Sequence, residues 1–357
     1  MKISSAAKVG LLAGILLLGI LLARFQPWKK SDAQTVSDSA LHTGPNARAR
    51  QKLTVGFLPV TCHLTCPVTD FASKTTTTGT RFDSQRYTEF PPIAEAMKAG
   101  TLKATFMIVP LAMRLREQGV PIKICYLGHR DGSTVMVRKN DPATSLRDLR
   151  GKIFAIPSPY SNQNLVIHKL MADQGLAPTD IKFVTLPPPD MPTALASGAI
   201  DAYFVGEPHA AKAELNGTGR VLYNAKDIWP HFISCALVVR EDLIKEQPDV
   251  VRDLVRGVAE SGEWAETHRA AAAHMVAPYY RQDEKIISFV LDEKKNPGRV
   301  SYRQLTPTDA ELQQIADMAL KMGLLTKPML MSDLIDRQFI PEKIDGTKID
   351  PKKVPQE

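Results

Sequence analysis

The chain has 357 residues and a formal net charge of +7, from 45 basic and 38 acidic side chains. Residues 1–33 hold five of those bases and one acid, a net +4, so the rest of the chain carries only +3 (7 − 4). Outside that segment no cluster of Lys and Arg alternates with aromatic residues, which is the pattern of a nucleic-acid surface. We therefore expect no nucleic-acid partner.

The amino terminus has the pattern of an export signal, because Lys2 and Lys8 precede an uninterrupted apolar run, Val9–Ala23. That run is shorter than the about 20 residues that span a bilayer, although Lys29 and Lys30 could anchor it at the interface. A possible cleavage site, Ser31–Ala33, follows. We predict that residues 1–33 are an export signal or an uncleaved membrane anchor, and either alternative places the rest of the chain outside the cytoplasm. Residues 34–51 are polar and predict a tether.

Beyond the tether, predicted strands and helices alternate, which is typical of α/β proteins with mainly parallel sheets. The predicted strands are Leu53–Leu58, Ala104–Val109, Ile122–Tyr126, Ser133–Arg138, Ile153–Ile156, Ile181–Leu186, Ala202–Val205 and Cys235–Val239. The predicted helices are Ile93–Ala99, Leu111–Gln118, Gln163–Gln174, Thr193–Ser197, one opened by Pro248 and one that begins with a Thr308/Glu311 capping box. Residues 326–357 end in a stretch rich in Pro and Lys and predict a C-terminal tail.

A weak internal repeat at an offset of 98 residues links two parts of this pattern. Leu53–Pro59 aligns with Gly151–Pro157, and Ala94–Pro110 aligns with Pro192–Pro208. Each copy predicts a strand, a loop, a helix stopped by Gly and a second strand. Two similar α/β lobes in one chain predict a ligand held in the cleft between them.

Two similar strands mark the places where the chain is expected to cross between the lobes. Ser133–Arg138 (STVMVR) and Cys235–Arg240 (CALVVR) both end in Arg before a charged or turn segment. We predict that residues 52–136 plus 236–325 form lobe 1 and that residues 137–235 form lobe 2. The paired crossings then make a hinge that allows the lobes to close over a ligand.

Three stretches resemble the periplasmic substrate-binding proteins of ABC importers in the nitrate/sulfonate/taurine group. They are Ala196–Ala202 (ASGAIDA), Val205–Pro208 (VGEP) and Asp227–Trp264, and the resemblance covers roughly residues 53–325. The group is also similar to the precursor-binding and synthase proteins of the thiamine pyrimidine. The resemblance implies a two-lobed periplasmic-binding-protein fold of type II, with two mainly parallel sheets joined by a two-strand hinge. It implies a non-enzymatic protein without a cofactor.

In such sheets ligands contact the loops at the carboxyl ends of the strands. In lobe 1 the candidate ligand-binding residues follow three predicted strands: Thr61, Cys62 and His63 after the first, Pro110 after the second, and His129 and Arg130 after the third. The imidazole of His129 and the guanidinium of Arg130 would supply a donor or a positive charge.

In lobe 2 the segment Ser158–Asn164 precedes a predicted helix, with Ser161 or Asn162 as its cap. Free backbone N–H groups at a helix start bind anions or carbonyls, so Ser158, Tyr160, Ser161 and Asn162 are the candidates there. Glu207 and His209 follow a buried strand, and Glu207 would accept a hydrogen bond from an N–H group of the ligand.

The cysteines leave two alternatives open. Cys62–Cys66 could form a small disulfide loop, as expected outside the cytoplasm, or Cys62, His63 and Cys66, with His129 as a further candidate, could bind a metal. The other cysteines are Cys125 and Cys235.

Three hypotheses remain. The leading one is a solute-binding protein in the periplasm, or on the extracytoplasmic face of the inner membrane, that delivers a small polar or anionic solute to an ABC importer permease. The second is an enzyme that resembles the thiamine-pyrimidine synthases, or another metal-binding enzyme, and uses Cys62, His63 and Cys66. The third is a membrane-tethered ligand sensor.

Overall fold

The computed structural model describes residues 50–344 and residue 349. The predicted signal or anchor and all but the last two residues of the tether lie outside the described residues. Within the part of the chain that is described, no helix is both long enough and apolar enough to cross a membrane.

The described chain alternates strands and helices in the predicted manner. The strands are β1 (Lys52–Phe57), β2 (Arg81–Arg86), β3 (Ala104–Ile108), β4 (Ile122–Leu127), β5 (Arg130–Asp131), β6 (Ser133–Arg138), β7 (Ile153–Ile156), β8 (Lys182–Thr185), β9 (Ala202–Gly206), β10 (Gly219–Asn224), β11 (Cys235–Arg240) and β12 (Val300–Ser301). The helices are α1 (Thr65–Lys74), α2 (Phe90–Ala99), α3 (Val109–Glu117), α4 (Asn162–Asp173), α5 (Met191–Ser197), α6 (His209–Leu215), α7 (Ala225–Ile228), α8 (Glu241–Glu246), α9 (Pro248–Thr267), α10 (Arg269–Tyr280), α11 (Glu284–Leu291), α12 (Asp309–Lys321) and α13 (Met331–Leu334).

The strands form two five-stranded sheets and a small β5–β12 pair. The first sheet has the order β2-β1-β3-β11-β4, and the second, read from its β8 edge, has the order β8-β7-β9-β6-β10. Each sheet is mixed, because its first three strands are parallel and its fourth strand is antiparallel to both neighbours. The two-lobed α/β fold expected from the resemblance is therefore confirmed.

The second sheet is covered on both faces. Val135, Phe154 and Phe204 lie in one apolar cluster, whereas the adjacent residues of the same strands lie in another. Successive side chains of a strand point to opposite faces, so this alternation places packed helices on both sides of the sheet. The first sheet contributes to a larger core that also holds helices α9 to α12.

The chain passes between the sheets twice. Residues 128–132 connect β4 of the first sheet to β6 of the second, and residues 225–234 return from β10 to β11. The two crossings touch each other, since Arg130 and Ile233 form an isolated antiparallel bridge. Strands β6 and β11 are the two similar strands noted in the sequence, and they hold the same fourth position in their sheets. The exact lobe boundaries at 136/137 and 235/236 stay a prediction.

The repeat has a structural counterpart at the ends of two helices. Gly100 ends α2 with φ of 72°, and Gly198 ends α5 with φ of 79°, a left-handed conformation that glycine adopts without strain. Beside these turns, Arg240 donates to Met97 O at 2.6 Å and Arg138 donates to Ile200 O at 2.9 Å. The arginine that ends each crossing strand therefore binds the backbone near the glycine turn of its own sheet.

The segment after Leu325 packs more closely than a tail. Leu334 and Phe339 are buried in the core of the first sheet, and Ile335 bridges to Ile124 of β4. The part of the predicted tail up to about residue 340 therefore packs against the β4 edge of the first sheet.

Candidate functional site

The loop after β1 begins as a short 3₁₀ helix, Thr61–His63, all of it buried. The Thr61 amide donates to Glu207 O of the second sheet at 2.6 Å, and its hydroxyl lies 2.9 Å from His129 Nε2. The Tyr302 hydroxyl donates to Thr61 O at 2.9 Å. The candidate residues Thr61, His129 and Glu207 are therefore brought together where the two lobes meet.

A buried sulfur pair lies beside this loop. The thiol of Cys62 donates to the sulfur of Cys235 at 2.9 Å, and a ring nitrogen of His63 lies within 4.8 Å of both sulfur atoms. Burial alone would raise the pKa of Cys235, but the Cys62 thiol and the His63 imidazole lower it to about 5. Burial and the hydrogen bond to Cys235 hold the pKa of Cys62 well above its ordinary value.

Cys66 is not part of this group, so the predicted cysteine arrangements need correction. Cys66 lies in the first turn of α1, where its thiol faces Val55 O at 3.8 Å, and all four cysteines are free. The chain after His63 turns into a helix, which carries Cys66 away from Cys62. The sulfur partner of Cys62 is Cys235.

The state of His63 bears on the metal alternative. Nδ1 accepts the Leu58 amide at 2.7 Å, so the ring proton is carried by Nε2, and Nε2 has no partner at hydrogen-bond distance among the described residues. Neither nitrogen then offers a free lone pair. Cys62, His63 and Cys235 are close enough to bind an ion together, but the imidazole could join only by giving up its bond to the backbone.

Opposite the sulfur pair, the loop after β7 leads into helix α4. Ser161 is the N-cap of this helix, because its hydroxyl accepts the Asn164 amide at 3.1 Å and donates to Ser158 O at 2.7 Å. The Ser158 hydroxyl accepts the Tyr160 amide. These bonds fix the loop, as expected for a capped helix start. The hydroxyl groups of Ser158 and Ser161 are therefore both hydrogen-bonded to the backbone.

The first two residues of α4 face the second crossing. The Asn162 side chain donates to Ile233 O, and Gln163 Nε2 donates to Ser133 Oγ at 3.1 Å and to Ser234 Oγ at 3.3 Å. The amide oxygens of both side chains are buried and have no partner among the described residues. Buried acceptors without a partner cost free energy, so these two oxygens are available to a donor group.

A cavity of about 180 Å³ opens beside Asn162. It lies between α4, the second crossing and α12, and its walls carry both apolar and polar side chains, including Trp229, His231 and Glu311. This volume is small compared with pockets for drug-sized ligands. It suits a solute of few heavy atoms.

Several predicted residues are instead committed to contacts within the protein. The Arg130 guanidinium, 5% exposed as a residue, pairs with Glu311 at 2.5 Å and donates to Gln304 O and His231 O. Its donors bind these groups rather than facing the cavity. Burial lowers the pKa of His129 to about 3, so this residue is neutral and supplies no positive charge.

Glu207 and His209 connect the lobes. Glu207 is fully buried, pairs with Arg299 at 2.6 Å, and accepts from Thr134 Oγ1 at 2.7 Å. His209 Nε2 lies 3.1 Å from Pro59 O, and burial lowers its pKa to about 3. In this arrangement the Glu207 carboxylate has an internal cationic partner.

Pro110 is buried in the first turn of α3, and Tyr160, half buried, packs against the core of the first sheet.

Comparison with known proteins identifies the family of the chain. The model of the NMT1-like family matches residues 46–279, about two thirds of the chain. The chain belongs to the NMT1-like family.

The chain is also similar to several named proteins. The chain is 29% identical over 195 residues to the nitrate import ATP-binding protein NrtC of Synechocystis sp.. The aligned region covers 50% of this chain but only 29% of NrtC. The solved periplasmic nitrate-binding protein NrtA of Synechocystis is 14% identical, with a TM-score of 0.70 over 81% of this chain and 85% of NrtA. The alkanesulfonate-binding protein SsuA of Xanthomonas axonopodis pv. citri, bound to MOPS, is 18% identical, with a TM-score of 0.67 over 82% of this chain and 100% of SsuA. The structural likenesses establish the shared fold.

In this member of the NMT1-like family, four further residues make contacts with the predicted site residues or with one another where the lobes meet. The sequence did not single them out: Ser133, Gln163, Ser234 and Cys235. Three of them lie at the start of a crossing strand or directly before it. The similarity of strands β6 and β11 could have indicated these residues. Each of these strands begins where the chain enters a sheet, and in a two-lobed protein that position lies at the floor of the cleft.

Proposed function

We propose that this protein is an extracytoplasmic solute-binding protein that captures a small polar or anionic solute between its two lobes and delivers it to an ABC importer. Membership of the NMT1-like family and the two-lobed fold support this proposal. The named relatives bind nitrate or alkanesulfonates, or belong to nitrate import, and these solutes define the first class to test. The protein acts without a chemical step.

The observation that carries the proposal is the pair of unpartnered amide oxygens at the start of α4. Both lie at a helix amino terminus, where N–H groups favour anions, and Asn162 also lines the small cavity. A solute with both acceptor oxygens and an N–H or O–H group would satisfy the backbone donors and the amide acceptors together. Alternatively, the two amides rotate and donate to an anion, since amide side chains offer both functions.

The test is a thermal-shift and calorimetry screen of nitrate, bicarbonate, alkanesulfonates, pyrimidines and small amines. A specific solute raises the melting temperature in proportion to its affinity and concentration. If no solute in the panel shifts the transition, the transport role is contradicted.

A matched pair of variants then locates the site. The double variant Asn162→Ala/Gln163→Ala is expected to weaken binding at least about tenfold, because a lost buried hydrogen bond costs about 1–3 kcal/mol. The control Gln174→Ala removes an amide from the other end of α4, where Nε2 donates to Tyr223. It is expected to leave affinity unchanged. Equal affinity of the double variant and the control would show that the solute binds elsewhere.

A further inference from the structure

The walls of the cavity beside Asn162 carry few charges. Among the described residues, no lysine or arginine lines this cavity, and its one carboxylate belongs to Glu311. The other ionisable side chain in the wall is His231, which is exposed. An anion in the cavity would therefore meet a negative side chain and no permanently positive one.

The Glu311 carboxylate has a fixed partner at each oxygen. Arg130 Nη1 donates to Oε1 at 2.5 Å, and the Thr308 hydroxyl donates to Oε2 at 2.6 Å. Burial alone would raise the pKa of Glu311, but these two hydrogen bonds and the charge of Arg130 lower it, so Glu311 is ionised at neutral pH. The same Nη1 donates to His231 O, which belongs to a second residue of the wall. The positive charge nearest to the wall is thus neutralised by Glu311.

Asn162 places a hydrogen-bond acceptor in the wall. Its Nδ2 donates to Ile233 O, and a carbonyl oxygen can only accept, so the orientation of the amide is fixed. Oδ1 is then the atom without a partner, in a residue that is 2% exposed and lines the cavity. An N–H group of a solute satisfies this oxygen, whereas a nitrate or sulfonate oxygen has no proton to donate to it.

We propose that the solute is a small neutral molecule with a carboxamide or ureido group, that its N–H group donates to Asn162 Oδ1, and that Glu311 excludes anions by neutralising Arg130. This inference rests on the proposed function, because it names the class of solute for the same site. The carbonyl oxygen of such a solute can accept from the N–H groups at the start of α4. Selection against anions by an unfavourable charge is a common source of specificity.

The first experiment compares probes of one shape and three charges. Nitrate, urea and guanidinium are planar ions or molecules of similar size, and they carry a negative charge, no charge and a positive charge. Acetate and acetamide form a second matched pair. Calorimetry of wild type is done at pH 8, where a solvent-exposed imidazole is neutral. Urea is expected to bind at least about tenfold more tightly than nitrate and guanidinium, and acetamide at least about tenfold more tightly than acetate.

The outcomes of this comparison separate the inference from the proposed function. Tighter binding of nitrate, acetate or guanidinium than of the neutral probes would overturn the inference and leave the proposed function supported, because a small solute is still bound. If no probe of the series binds, the inference is overturned, and the wider solute screen described above decides the proposed function.

The second experiment tests the role of Glu311. Glu311→Gln keeps the size of the side chain and its place in the capping box, but it leaves the buried Arg130 guanidinium without a counter-ion. An anion in the cavity can then supply that charge, so nitrate is expected to bind this variant at least about tenfold more tightly than wild type. Urea affinity is expected to change less.

A matched control lies on the same helix. Asp317→Asn removes a carboxylate from an exposed position of α12 that does not line the cavity, and its nitrate affinity should equal that of wild type. Circular dichroism melting shows whether each variant folds. Unchanged nitrate affinity in folded Glu311→Gln would overturn the role of Glu311. If that variant does not fold, the matched probes in wild type still decide the class of solute.

Discussion

At the scale of single residues, two of the three histidines in the predicted ligand site show the cost of burying an ionisable group. His129 and His209 are fully buried, and burial lowers the pKa of each to about 3. The unfolded chain protonates its histidines near pH 6.5. Between these values the unfolded state binds more protons than the folded state, so the stability associated with both groups is lost as the pH falls.

We predict that the free energy of unfolding decreases between pH 6 and pH 4 by about 1.4 kcal/mol per pH unit for each of these histidines. Urea unfolding at a series of pH values measures this slope. The His129→Gln/His209→Gln variant is expected to show a shallower slope than wild type. The control His231→Asn alters an exposed histidine at φ of 59°, which Asn tolerates, and should keep the wild-type slope. Identical slopes in wild type and the double variant would contradict the neutral, buried state.

At the scale of elements, the sequence patterns predicted all the inner strands of the two large sheets and two of their four edge strands. β1, β3, β7 and β9 are apolar runs, and all were predicted within two residues of their ends. β2 (RFDSQR) and β10 (GRVLYN) were missed. Each lies at the edge of its sheet and has a single buried residue. Polar residues are tolerated on such strands, so no periodic signal remains in the sequence.

The same reasoning explains what was missed at the site. Cys62 and Cys235 are 173 positions apart, and only the placement of β11 beside β3 brings them together. Spacing along the chain favoured Cys66, which a helix carries away. In contrast, the Ser161 cap depends on local sequence alone, and that prediction is confirmed.

The crossing loop after β4 is predicted to require glycine at position 128. A Cβ on Gly128 would lie 2.1 Å from Cys62 O and 3.3 Å from Cys235 O, and backbone atoms cannot move aside as a side chain can. Gly128→Ala is expected to lower the unfolding free energy by about 2 kcal/mol or more, in the range of overpacked cores. Gly206→Ala is the control, because its nearest contact is at 3.7 Å. Denaturant midpoints measure both; equal midpoints would show that the loop is looser than the structure indicates.

At the scale of the whole molecule, one arginine connects the two lobes. Arg299 precedes β12 and reaches Glu207 and Glu214 beside the second sheet, with its guanidinium 5.6 Å from the centre of the Phe289 ring. Glu207 is fully buried, so the pair is shielded from solvent. Removal of one partner from a buried pair leaves an uncompensated charge, which costs more than the pair contributes.

We predict that Arg299→Ala destabilises the protein by about 3–5 kcal/mol, because Glu207 then remains buried without a cation. Arg303→Ala, which removes a 70% exposed partner of Glu266, is expected to cost less than about 1 kcal/mol. Urea unfolding followed by circular dichroism compares them. A similar loss in both variants would mean that the connection between the lobes does not depend on this charge.

The order of strands also has a consequence for how the chain acquires its shape. β3 and β4 of the first sheet are made early, but β11 lies between them and is the last of the five strands to be synthesised. The edge of β3 therefore stays unpaired until about a hundred further residues, including the entire second sheet, have left the ribosome. An unpaired edge invites association with other chains. The second sheet is one uninterrupted stretch and can close by itself, so vectorial synthesis favours its completion first, with the first sheet sealed only when the chain returns through Cys235.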